Sequence, residues 1–164
     1  MWLDLSRIIE NPGEKALFEV ELSTDNLLFS QVKSYKAPPR AEGFVTNVAG
    51  VLELSGTAAA DMVCICDRCG GEFESTKITE LAAVISEDDS DGENPDVFPL
   101  EGDGVTIDEI VETLFILDME TKFLCSPDCK GLCPGCGKNL NLGSCECRKE
   151  IDPRMAVLEQ LLDK

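Results

Sequence analysis

The chain has 164 residues and is 43% hydrophobic, enough for a true core in one domain with at most a small appended module. Its formal net charge is −18, with 32 acidic residues against 14 basic ones. That excess excludes non-specific nucleic-acid binding by the chain as a whole, since phosphate neutralisation drives such affinity, and no apolar run approaches the ~18 residues of a membrane span.

The N-terminal stretch MWLDLSRIIENPGEK carries acids where a signal peptide has bases, which leads us to expect a cytoplasmic protein. Residues 14–22 alternate as a strand does. Residues 24–42 read as a polar loop with a small basic patch of Lys33, Lys36 and Arg40. Residues 44–66, rich in Val, Leu and Ala with Gly50 and Gly56, predict two strands joined by a turn. Residues 71–86 predict one or two more. An acidic loop is expected over 87–104, with its most polar part at 87–96. Thr106 and Glu109 then spell a capping box, and an apolar stripe from Ile107 through Leu117 predicts a helix over 107–118. A cysteine-rich segment follows at 125–147. Asp152 and Pro153 open a terminal helix with Met155, Leu158, Leu161 and Leu162 on its apolar face. The fold class expected is α+β: an antiparallel β-rich part over 1–121 with a few helices, and a cysteine-rich zinc-binding segment over 122–164, packed as one unit.

Charge is unevenly spread over these parts. Residues 1–121 hold 7 Lys and Arg against 26 Asp and Glu, whereas residues 122–154 hold 6 against 4. The cysteine-rich stretch is therefore the one part that is not acidic.

Nine cysteines in a reducing compartment point to metal rather than disulfides. Two segments match each other, Cys66-Asp-Arg-Cys69-Gly70 and Cys133-Pro-Gly-Cys136-Gly137. Two intervening residues let both sulfurs reach one tetrahedral ion at about 2.3 Å. The glycine accepts the positive φ that such a turn demands. Cys145 and Cys147 are the natural mates of Cys133 and Cys136, across the eight-residue loop GKNLNLGS. Cys125 and Cys129 are then left for Cys66 and Cys69, and Cys64 is spare. This reading gives two structural Zn2+ sites. A single site on Cys133, Cys136, Cys145 and Cys147 stays open, as does an iron–sulfur or redox-disulfide use of the cysteines.

The absence of histidine removes Ser-His-Asp and Cys-His catalysis. No phosphate-cradling glycine loop occurs. We therefore expect no enzyme and no small-molecule substrate.

The strings CDRC (66–69), CSPDCKGLCPGCGKNLN (125–141), CEC (145–147) and DPR (152–154) before a leucine-bearing helix resemble the YceD family, described as large ribosomal RNA subunit accumulation proteins. The resemblance covers most of the chain. It implies a non-enzymatic role in the synthesis, processing or stability of 23S-type rRNA, with ribosomal or rRNA-processing proteins as partners. Contact with rRNA itself would use a local basic surface such as Lys130, Lys138, Arg148 and Lys149. Members without the C-terminal cysteines imply that the metal is a staple rather than a catalyst. A zinc-ribbon adaptor in another complex is the competing reading.

Overall fold

Alternation of apolar and polar side chains sets most of the architecture. In β5 (Val51–Ile65) the residues Leu52, Leu54, Ala58, Ala60, Met62 and Cys64 are buried, while Glu53, Thr57 and Asp61 between them are exposed. In β6 (Glu72–Ser86), Thr79, Leu81, Ala83 and Ile85 are buried in the same way. This period of two is what a sheet covered on one face requires.

The computed structural model describes residues 1–86 and 97–147, which form an α+β fold rich in antiparallel pairing. Before β5 come β1 (Trp2–Asp4), α1 (Ser6–Glu10), β2 (Lys15–Glu21), β3 (Val32–Tyr35) and β4 (Arg40–Val48). After β6 come β7 (Val97–Pro99), β8 (Gly104–Thr106) and α2 (Ile107–Leu117). The main sheet runs β2-β4-β5-β6-β7, and β3 pairs with the far end of β5 beyond the reach of β4. All of these pairings are antiparallel except β6 with β7. Strands β1 and β8 form a separate two-stranded sheet.

Helix α2 packs against β6 and β2 with Ile107, Ile110, Val111, Leu114 and Phe115, all buried. Complete burial of side chains such as Phe115 and Val111 contributes roughly 1.5–3 kcal/mol each. At the β4–β5 turn, Ala49 and Gly50 both have positive φ (55° and 92°), as a tight hairpin needs. Asn47 anchors that turn. It accepts from the Gly50 amide and donates to the Ile8 and Ile9 carbonyls of α1.

Three expectations need correction. Residues 24–42 are not all loop, since they hold β3 and the start of β4. The basic patch there is spent on ion pairs: Lys33 with Glu72, Lys36 with Glu74 and Arg40 with Glu21. Within the expected 87–104 loop, residues 97–104 hold β7 and the first residue of β8. Finally, Thr106 is the N-cap of α2, but its hydroxyl makes no capping hydrogen bond. Residues 87–96 and the expected terminal helix at 152–162 lie outside the described residues, as do Arg148 and Lys149.

Candidate metal centre

The alternation of β5 carries through its end. Cys64 is the last inward side chain of the apolar core, and Cys66, two residues on, opens a second buried cluster with Cys69 and Cys129. The Cys66–Gly71 segment is the loop of the β5–β6 hairpin, whose last ladder pair is Ile65 with Glu72. The Cys66 amide donates to the Gly71 carbonyl (2.9 Å) and the Gly70 amide to the Cys66 carbonyl (2.8 Å), with Gly70 at φ 65°. The second turn repeats this geometry. The Cys133 amide donates to the Lys138 carbonyl (2.9 Å) and the Gly137 amide to the Cys133 carbonyl (2.8 Å), with Gly137 at φ 72°. The glycine therefore does in both turns what the sequence asks of it.

The structure gathers eight cysteines into two groups of four. Cys66, Cys69, Cys125 and Cys129 form one group; Cys133, Cys136, Cys145 and Cys147 form the other. Within each group all sulfurs lie within 4.8 Å of one another. In the first group, the Cys66–Cys129 and Cys69–Cys125 sulfur separations are 3.8 and 3.7 Å. A tetrahedral ion with sulfurs at about 2.3 Å spaces them about 3.8 Å apart, so one ion fits. Cys64 is fully buried and belongs to neither group.

The two groups differ in setting. Cys66, Cys69 and Cys129 are buried, and the group ties the sheet hairpin to the segment after α2. In the second group only Cys133 is buried, while Cys136 and Cys147 are exposed. Asp67 and Arg68, between the first two cysteines, hold the same junction. The Asp67 amide donates to the Phe123 carbonyl, and Asp67 Oδ2 accepts from the Phe123 amide at 2.6 Å. The Arg68 guanidinium donates to the carbonyls of Cys129 (3.1 Å) and Pro127 (3.4 Å), and the Arg68 carbonyl accepts from the Leu132 amide. A side chain at Gly131, whose φ is 73°, would run into that same Arg68 carbonyl.

Backbone amides aimed at sulfur prepare the thiolate, which is the ligating form. Burial pushes Cys66 up, but the amides of Cys125, Cys69 and Arg68 overcome it and bring the thiol down to about 6. Cys129 is also lowered, chiefly by the Asn141 amide. Cys133 is brought to about 6 by the Cys136 amide, then the Cys145 thiol and the Gly135 amide. Cys125 is pushed up to about 12, first by Cys129, and Cys147 to about 12, first by Cys136. Four sulfurs packed without a cation resist carrying four charges, and a divalent ion at the centre removes that penalty.

Asn141 ends the NLN string (139–141), whose place in the sequence suggests turn and knuckle geometry, and the structure gives it a further contact. Asn141 lies between the two ligand pairs of the second group, yet its amide donates to Cys129 Sγ of the first at 3.2 Å. Its Oδ1 accepts from the Lys130 amide at 2.8 Å. Of the candidate RNA-contacting lysines, Lys138 donates to the Ser144 carbonyl and closes its own loop. Lys130 is exposed and makes no ion pair among the described residues, and the same holds for Lys122.

A family model described as "Large ribosomal RNA subunit accumulation protein YceD" matches residues 54–162, a span that takes in all nine cysteines. Uncharacterized proteins of Mycobacterium tuberculosis (strain H37Rv) and Mycobacterium bovis are each 32% identical over 174 residues, covering 99% of this chain and 81% of theirs. A protein of Arabidopsis thaliana named large ribosomal RNA subunit accumulation protein YCED homolog 1, chloroplastic, is 26% identical over 129 residues. That alignment covers 60% of this chain and 40% of the plant protein. No solved structure matches the chain. No helix among the described residues is long and apolar enough to cross a membrane.

Proposed function

The chain belongs to the YceD family, and on that premise we propose that it is a non-enzymatic cytoplasmic factor supporting accumulation of large-subunit, 23S-type rRNA, folded in part around two structural zinc ions. The family name supports the rRNA role. The observation that carries the metal reading is the closure of both groups, each with four thiols around one centre and no position left for a substrate. The lack of any histidine and the pairing-off of eight cysteines favour a staple over a catalyst. A four-iron cluster binds one cysteine sulfur outward from each iron corner of its cube and so holds them farther apart than these groups allow. A single iron ion would fit the same four sulfurs, and the colour of the protein separates it from zinc.

Partners are then ribosomal or rRNA-processing proteins, with rRNA approached by the non-acidic cysteine-rich surface around Lys122 and Lys130. Two experiments test this. Metal analysis of the purified protein should give two zinc per chain in a colourless preparation; a folded, metal-free protein would refute the staple. Depletion in the cell should lower large-subunit rRNA relative to small-subunit rRNA, and an unchanged ratio would refute the rRNA role.

A further inference from the structure

Among the described residues, neither α1 nor α2 covers the face of the main sheet opposite the core, and the ladder register arranges its side chains in rows. One row is Leu17, Phe44, Ser55 and Ala82 across β2, β4, β5 and β6. The next is Glu19, Glu42, Thr57 and Glu80. A third is Glu21, Arg40, Ala59 and Ile78. Leu17 is 74% exposed and Ile78 65%, so apolar surface flanks the carboxylate row on both sides. A shallow groove of about 620 Å³ runs between the first two rows, beside Leu17, Glu19, Glu42, Phe44 and Thr57.

The cations of this face are already engaged. Arg40 pairs with Glu21, and the Lys15 ammonium sits 3.6 Å from the centre of the Phe44 ring. Glu19, Glu42 and Glu80 are exposed and have no ion-pair partner among the described residues. Glu19 and Glu42 stand directly opposite each other across β2 and β4, an arrangement that costs stability. An uncompensated like-charge row between apolar strips fits one kind of occupant. Lysine and arginine carry apolar stems that lie on Leu17, Phe44 and Ile78 and charged heads that reach the carboxylates. Nucleic acid is repelled by the same row.

We propose that this open sheet face is a docking surface for a Lys/Arg-rich segment of a partner protein. The proposal stands on the sheet face alone and does not depend on the cysteine groups. The face then meets basic protein, while the cysteine-rich side presents the non-acidic surface.

The test is binding of a fluorescently labelled ten-residue peptide of alternating arginine and leucine to the full chain, read by anisotropy at near-physiological salt. The triple variant Glu19→Gln, Glu42→Gln, Glu80→Gln is compared with Glu10→Gln, Asp25→Asn, Glu101→Gln, which removes the same charge at exposed sites elsewhere that have no ion pair among the described residues. We expect roughly tenfold weaker binding for the first variant and less than about twofold for the second. Equal weakening by both, or no binding by the native chain, overturns the proposal. So does a labelled RNA oligonucleotide that binds the native chain and is lost with the first variant.

Discussion

Asn141 donates its side-chain amide to the sulfur of Cys129 at 3.2 Å, although Asn141 lies in the loop of the second cysteine group and Cys129 belongs to the first. The same side chain accepts from the Lys130 amide, and the Leu140 amide donates to the Gly131 carbonyl. The loop that closes the second group thus braces the first. A hydrogen bond to a ligating sulfur orients it and stabilises its charge. Replacing Asn141 by Ala should therefore weaken metal retention at the first group by about tenfold, with both sets of cysteines intact. Competition against a chromophoric chelator measures this. Equal retention by native and variant protein would show that the contact is incidental.

The two groups should also fail differently. The first closes a chain loop of about sixty residues and is buried, so Cys66→Ser should destabilise the sheet by roughly 4 kcal/mol on a chain-closure estimate. Cys136 is exposed and local. Cys136→Ser should lower zinc from two per chain to one and leave unfolding of the sheet within about 1 kcal/mol of native. Cys64→Ala should keep both ions, because Cys64 is packed in the core. Metal content and chemical denaturation on the three variants check this, and loss of an ion from Cys64→Ala would undo the ligand division.

Lys77 gives a pH signature. Its ammonium on β6 donates to the Asp118 carbonyl (2.7 Å) and pairs with Asp118 Oδ2 (2.8 Å) and Glu120 Oε1 (3.1 Å), which ties the sheet to the end of α2. Burial lowers Lys77, but its carboxylate partners outweigh this and leave it above its usual value. Asp118 lies below the usual carboxylate range, chiefly through the Lys77 hydrogen bond. A depressed carboxyl stabilises the fold above its unfolded value near pH 4, and that contribution is lost as pH falls through the folded value. A raised ammonium stabilises below its unfolded value near pH 10.4, and that contribution is lost as pH rises through the folded value. Asp118 is half exposed, so screening reduces the pair to about 1 kcal/mol. Lys77→Met should flatten stability against pH at both ends. Urea midpoints from pH 3 to 11 would reveal it, and parallel curves for native and variant protein would contradict it.

These contacts mark where sequence reading reached and where it stopped. Strands β2, β4, β5 and β6 and helix α2 were legible because each has a period imposed by one buried face. The CxxCG turns were legible because the glycine and the spacing are local requirements. What was hidden depends on distant partners. Lys33 and Lys36 look like a free basic patch until the ladder brings Glu72 and Glu74 beside them. β1, β7 and β8 are three residues each, too short for a period to show. α1, at five residues, has the same problem. The Asn141 contact spans 12 residues and follows from folding of the knuckle loop, so the NLN string announced a motif without its purpose.

The open sheet face makes a prediction about stability as well as binding. Glu42 faces Glu19 across one strand pair, and neither has an ion-pair partner among the described residues. Neutralising one member removes a like-charge cross-strand contact worth about 0.2–1 kcal/mol. In a chain of this size that corresponds to a rise of roughly 1–3 °C in the thermal midpoint. Glu42→Gln should therefore be more stable than the native protein at low salt. The gain should shrink as added salt screens the repulsion in both. Calorimetry at two ionic strengths measures it. A lower midpoint at low salt would mean that Glu42 is held by favourable contacts, and the row would no longer be an unrelieved cost that only a cationic partner offsets. A higher midpoint together with weaker peptide binding would place stability and function in opposition at the same carboxylate, the trade-off expected of a surface kept for a partner.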